Sequence, residues 1–380
     1  LFSSLRRPNG RRRVLPLAAA ACLAACGGQS RPVVLGLTGP FAEARGRSMR
    51  QAAELAAAEI NARGGIGGHR LELRVLDDSA SEDVALRVAQ TLRDDPSVVA
   101  VIGHLSSGPT LAAAPVYGSG TRPVVLISPS ASSPALSGVS PYFLRVCPTD
   151  LAFGSRLAQY ALRTLGARRV GVIFMNDDYG RGVRATFHAE FTRLGGSVVS
   201  EDPYLPSAGS PEPYLARLAR AGGVDALLLA MPRVAAEAAL RETAGLGLRW
   251  PVLGGDALTG IESFGPAAEG VRVASAYLPD RPGERNAAFV AAYAQTYDGA
   301  RPDHRGAGAY DVVQLLARAI EEVGTDRVAL RDYLAAVGGS RPAFEGVTGR
   351  IAFDSAGDVP DKAVVIGVVR NGRLVTDASQ

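Results

Sequence analysis

The 380-residue chain has few of the side chains on which most catalytic chemistry depends: three cysteines, four histidines and a single lysine, Lys362. The histidines, His69, His104, His188 and His304, are scattered without the spacing of metal ligands, so no metal site is expected. Schiff-base chemistry would have to rest on Lys362 alone. There is no G-x-S-x-G elbow, no G-x-x-x-x-G-K-[ST] loop, no H-E-x-x-H and no G-x-G-x-x-G after a strand. These absences leave no nucleotide or nicotinamide cofactor expected and weigh against an enzyme. Nor is any apolar run long enough to span a bilayer.

What is present begins with Arg6, Arg7, Arg11, Arg12 and Arg13, followed by an apolar run over 14–25 that ends in Leu23-Ala24-Ala25-Cys26. A basic start, a short apolar stretch and a cysteine at its end read as a signal peptide over 1–25. The tetrad resembles the bacterial lipobox, in which the cysteine thiol takes a lipid before cleavage, so Cys26 is the expected lipidation site. Residues 26–32 then form a linker that holds the mature domain at a membrane surface. On that reading Cys22 is lost and Cys26 acylated, which leaves Cys147 without a disulfide partner. Five of the 41 basic residues lie in the leader, leaving 36 against 37 acidic ones. A net charge of about −1 gives no reason to expect nucleic acid as a partner.

From residue 33 onward, apolar runs of strand length alternate with helical patterns. Strands are expected at 33–37, 71–76, 98–102 and 124–127, with Met49, Ala53, Ala56 and Ile60 marking one intervening helix and Val84, Val88 and Leu92 another. Short continuous apolar runs suit buried parallel strands, and the β-α-β order implies a doubly wound sheet. The pattern restarts after 145–150, with strands expected at 170–174, 198–200, 226–230, 251–253 and 271–274 and helices at 157–165, 183–194 and 215–221. Three helices follow at 287–297, 307–323 and 328–337, then strands at 350–353 and 363–369. The fold class is therefore α/β, with two doubly wound, Rossmann-like halves and no low-complexity linker between them, so several tight crossings are expected.

Ligands in open α/β sheets sit beyond the carboxyl ends of the strands. After the third strand, "GHLSSGPT" places Ser106 and Ser107 at the start of a helix, either as plain N-caps or as part of an anion site. After the fourth, "SPSASSP" offers hydroxyls that can both donate and accept, or simply a solvated loop. In the second half "NDDYGRG" offers Tyr179, and "LGGDALTG" offers Asp256 beside glycines that permit close approach. Brought face to face, hydroxyls and N–H groups on one half and a carboxylate and a ring on the other suit a small zwitterion. His104 lies near Ser107, but no acidic residue is expected to orient it, so a hydrolase is the least favoured reading.

The order of "EINARGGIGGHRLEL" with its following "DD", then "VIGHLSSGP", "VVLISPSASSPAL", "FLRVCPTD" and "NDDYGRG" resembles the branched-chain amino-acid-binding proteins, the type I periplasmic binding fold serving ABC importers. The resemblance runs from about residue 33 to the C-terminus. It implies two lobes joined by three crossings, 33–147 with 280–349 forming the N-terminal lobe and 148–279 with 350–380 the C-terminal one. It also implies that ligand is trapped as the hinge closes. Ser107, with Ser106 beside it, falls where the family binds the ligand carboxylate. Ser130 is expected to supply main-chain groups and Ser132 a hydroxyl touching both carboxylate and amine. Tyr179 takes the place of the covering aromatic ring and Asp256 that of the acid, often Glu, that meets the ammonium group. Arg45 stands near a position that is often aromatic, and Met231-Pro232 replaces a more aromatic segment. A guanidinium facing the ligand side chain admits an acidic or polar ligand.

These residues imply an extracytoplasmic, lipid-anchored, monomeric solute-binding protein. It would take a small amino acid, branched-chain-like or polar, and deliver it to an ABC permease. A sensing receptor on the same fold is the alternative.

Overall fold

A computed structural model describes residues 1–4, 31–205, 207 and 209–379. The lipidation site Cys26, and the leader apart from residues 1–4, lie outside the described residues.

Five strands, β1 (Val33–Gly39), β2 (Leu71–Asp77), β3 (Val98–Ile102), β4 (Val125–Ser128) and β5 (Phe143–Arg145), form an all-parallel sheet in the order β2-β1-β3-β4-β5. Helices α1 (Ala44–Ala62), α2 (Glu82–Asp94) and α3 (Ser107–Tyr117) connect them. The continuous apolar runs have a direct cause, since both faces of the sheet are covered. Leu35, Leu37 and Ile102 pack against Met49 and Ile60 of α1, while Val98, Val101 and Leu126 pack against Leu92 of α2 and Tyr117 of α3. A strand buried on both faces has no solvent side on which polar residues could alternate.

The second lobe repeats the plan with α4 (Asp150–Arg163), β6 (Arg169–Met175), α5 (Asp178–Arg193), β7 (Ser197–Tyr204), α6 (Glu212–Ala221), β8 (Ala226–Ala230), α7 (Arg233–Gly245), β9 (Val252–Gly254) and β10 (Arg272–Ser275). The chain then returns to the first lobe as α8 (Glu284–Thr296), α9 (His304–Val323), α10 (Arg327–Ala335) and the hairpin β11 (Phe344–Gly346) and β12 (Gly349–Ile351). Val312, Leu316 and Ile320 of α9 complete the core around Leu35 and Met49. Finally β13 (Val365–Arg370) and β14 (Arg373–Thr376) extend the second sheet antiparallel to β10, giving the order β14-β13-β10-β9-β8-β6-β7. Three crossings thus join two doubly wound lobes, which is the type I periplasmic binding architecture.

Three local readings differ from the sequence. The strand expected at 350–353 was assigned to the second lobe, yet Ile351, Phe353 and Val359 lie in the first lobe's core. Lys362 still donates to Thr348 Oγ1 at 2.6 Å, so the third crossing follows residue 362 rather than 349. Strand β5 was read as the joint between the halves because it is only three residues long. Helix α7 had no expected counterpart: its buried stripe is Ala236, Ala239, Leu240 and Thr243, too weakly apolar to stand out among the alanines around it.

Candidate functional site

Each sheet reverses direction at one point, between β1 and β3 in the first and between β6 and β8 in the second. At such a switch point the loops diverge and leave a crevice beyond the strand ends. The two crevices face each other across a cleft of about 370 Å³, toward the small end of the range for small-molecule sites. Seven of the eight sequence-selected residues line it: Arg45, Ser106, Ser107, Ser130, Ser132, Tyr179 and Asp256. Met231 does not. Its side chain is fully buried in the second lobe's core, and Pro232 takes the wall position.

The first lobe supplies hydroxyls and N–H groups. Ser106 is the N-cap of α3, but its side chain does not cap the helix; its Oγ accepts from Arg45 Nη1 at 3.1 Å. The first-turn N–H groups of Ser107 and Gly108 therefore have no capping side chain, and the helix dipole adds partial positive charge there. Ser107 Oγ accepts from the Ser133 N–H at 3.2 Å, which leaves its own proton available to an anion. Ser130 N–H donates to Ser128 Oγ at 3.4 Å, a long contact that only partly occupies it. Ser132 Oγ is buried and without a hydrogen-bond partner.

The second lobe supplies the acid and the ring. Asp256 is 3% exposed, its Oδ2 lies 3.3 Å from His304 Nε2, and its Oδ1 is buried with no partner. Tyr179 Oη accepts from the Ala257 N–H at 3.2 Å, and a side chain at Gly255 would collide with that hydroxyl. Burial, followed by the charges of Asp256 and Asp150, raises the Tyr179 pKa well above the ordinary phenol value, so the hydroxyl stays protonated. Arg45, expected to face the ligand's side chain, is held by Glu43, with Nε 2.7 Å from Oε2 and Nη2 3.3 Å from Oε1. Its charge is compensated before any ligand enters, so it does not by itself demand an acidic ligand.

Sequence reasoning missed Asp150, His304 and Arg305. Asp150 opens α4 at the first crossing, its N–H donating to Ser132 O at 2.8 Å, and neither carboxyl oxygen has a hydrogen-bond partner. Burial pushes its carboxyl up to about 8; the nearby Ser132 hydroxyl lowers it, the charge of Asp256 raises it further, and Arg145 lowers it again. At neutral pH the group is therefore mainly the uncharged acid. The unfolded chain's carboxyl titrates near ~4, so between about 4 and 8 the unfolded state loses a proton that the folded state keeps, and stability falls as pH rises. Asp150→Asn removes this dependence. Its melting temperature should match wild type near pH 4 and exceed it increasingly toward pH 8, as scanning calorimetry would show; a constant difference would contradict the assignment.

The hydrolase reading fails on geometry, though one expectation behind its rejection was wrong. An acid does orient His104: its Nδ1 lies 2.7 Å from Asp78 Oδ2. Its Nε2, however, is 3.2 Å from Tyr117 Oη, the ring is wholly buried, and Ser107 Oγ is engaged by Ser133. Ser107 thus has no general base. Among the described residues no group of three or more histidine, cysteine and acidic side chains could hold a metal ion, and no helix is long and apolar enough to cross a membrane.

Comparison with known proteins agrees with this geometry. The family model described as periplasmic binding protein matches residues 32–373. A Leu/Ile/Val-binding protein homolog 1 from Brucella abortus is 27% identical over 90% of this chain and 91% of its own. Among solved structures, an ABC transporter substrate-binding protein from Desulfitobacterium hafniense in complex with Leu is 28% identical, covers 91% of this chain and all of its own, and superposes with a TM-score of 0.80. A solute-binding protein of an ABC transporter from Rhodopseudomonas palustris in complex with 3,4-dihydroxybenzoic acid, 26% identical over 91% of this chain and 95% of its own, has a TM-score of 0.79. With two doubly wound lobes, three crossings and a head-group cleft between them, the chain belongs to the periplasmic binding protein family, as a type I member related to the branched-chain amino-acid-binding proteins.

Proposed function

We propose that this protein is the solute-binding lipoprotein of an ABC importer, and that it captures a small α-amino acid between its lobes and delivers it to the permease. One observation carries the reading. Ser132 Oγ and Asp256 Oδ1, on opposite lobes, are both buried, both line the cleft and both lack a partner. A buried polar atom without a partner costs free energy that a ligand group can recover. The α3 N-terminus and the Ser107 hydroxyl suit a carboxylate, and Asp256 suits an ammonium group, so a zwitterion satisfies both walls and favours the closed form over the open one. Because Glu43 compensates Arg45, the far wall accepts a branched-chain or small polar side chain.

A melting-temperature screen against amino acids, amides, short acids and aromatic carboxylates tests this. Ligands that bind only the folded state raise the transition by mass action. A shift with a group of α-amino acids is expected; a shift confined to carboxylates lacking an amine would move the ligand class toward that of the Rhodopseudomonas relative. Lipid attachment at Cys26 accounts for membrane tethering. Cys26→Ser should move the protein from the membrane pellet to the soluble fraction, and unchanged pelleting would remove Cys26 from that role.

A further inference from the structure

The first turn of α9 is a rigid polar platform. Asp303 caps it, its Oδ1 accepting from the N–H groups of Arg305 and Gly306 at 3.0 Å each and from Ser48 Oγ at 2.7 Å. His304 and Arg305 project from this turn across the lobe boundary. Arg305 Nη1 pairs with Asp303 Oδ2 at 2.9 Å, and its Nη2 donates to the Asp256 carbonyl at 3.1 Å, not to the carboxylate. His304, 2% exposed and outside the cleft wall, places Nε2 3.3 Å from Asp256 Oδ2 and 3.4 Å from Ser130 Oγ, with Nδ1 3.2 Å from Thr259 Oγ1.

We infer that His304 is the positioning residue for amine recognition: it holds Asp256 by Oδ2 so that Oδ1 faces a ligand ammonium group. Thr259 can donate its hydroxyl proton to Nδ1, which suits the neutral tautomer carrying its proton on Nε2. A neutral imidazole orients the carboxylate without cancelling its charge, whereas an arginine or lysine at that place would compete with the ligand's ammonium. The pairing also joins the lobes, since His304 belongs to the first and Asp256 and Thr259 to the second. Amine selectivity is therefore set by a residue that never touches the ligand.

The inference rests on the proposed role of Asp256 as ammonium acceptor, so the test separates the two. Dissociation constants are measured by calorimetry on the full chain and its variants for an α-amino acid and for its des-amino analogue, the same acid with hydrogen in place of the ammonium group. His304→Ala should weaken the amino acid by about 10-fold or more while leaving the analogue within about 3-fold, because only the charged hydrogen bond depends on Asp256 orientation. His304→Gln, whose amide nitrogen can take the Nε2 position, should restore most of the loss. Thr259→Val, which frees the ring without altering the cleft wall, should weaken the amino acid by about 3-fold and spare the analogue; it also serves where His304→Ala does not fold. Equal losses for both ligands, or none for either, would overturn the role of His304 while Asp256 keeps its own. A wild-type protein that binds both ligands equally would overturn the Asp256 reading and this one with it.

Discussion

Asp256→Ala is expected to lower affinity for an α-amino acid by at least about 30-fold, the effect of leaving one partner of a buried charge pair without the other. The cause is local. Asp256 is 3% exposed and sits in a closed cleft, so no water replaces its carboxylate beside the ligand's ammonium group. Asp256→Asn should fall between, since an amide oxygen accepts the hydrogen bond but carries no charge. Folding should be little disturbed, because the loss of Oδ1, which has no partner, costs the free protein nothing. Titration calorimetry of both variants checks this, and unchanged affinity would remove Asp256 from the site.

The second large effect falls on stability. Arg145 is fully buried at the first crossing, its Nε donating to Asp358 Oδ1 at 2.6 Å and its Nη2 to Ser137 Oγ at 2.7 Å. Its Nη1 donates to the carbonyls of Ala131 at 3.2 Å and Ser133 at 2.8 Å, on either side of Ser132. Arg145→Ala should destabilise the protein by about 3–5 kcal/mol, because it strands the Asp358 carboxylate and the acceptors around it. The melting temperature should fall on the order of 10 °C. Arg145→Lys should recover little, since a point charge cannot reproduce the fork that spans these acceptors. The double variant Arg145→Met with Asp358→Leu should recover more, having no stranded charge. A loss below about 1 kcal/mol for Arg145→Ala would mean that the loop around Ser132 is seated by something else.

These two residues also mark what could be read in the sequence. Asp256, Tyr179 and the serines were legible because each follows a short, continuous apolar run, and strand ends are where an α/β sheet places its ligand groups. Strands such as Val98–Ile102 stood out because burial on both faces removes every polar interruption. Met231 misled because position after a strand does not say which way a side chain turns: it points into the core and Pro232 into the cleft. His304 was invisible for another reason. It follows no strand, and its place beside Asp256 exists only because α9 returns to the first lobe with its N-terminus aimed across the boundary. The signal in the sequence is Asp303, an N-cap before a long apolar helix, followed at once by two polar residues that a solvated turn would not need to bury. Asp150 was likewise hidden, since an acid in the first turn of a helix is ordinary until its oxygens prove to be enclosed.

The central claim is that the two lobes read the two ends of a zwitterion. The most direct test is titration calorimetry of the wild-type protein with the amino acid that gives the largest melting shift, set beside its des-amino analogue. The account predicts one site per chain and an amino acid at least about 30-fold tighter than the analogue. Equal affinities, or tighter binding of the acid that lacks the amine, would contradict it.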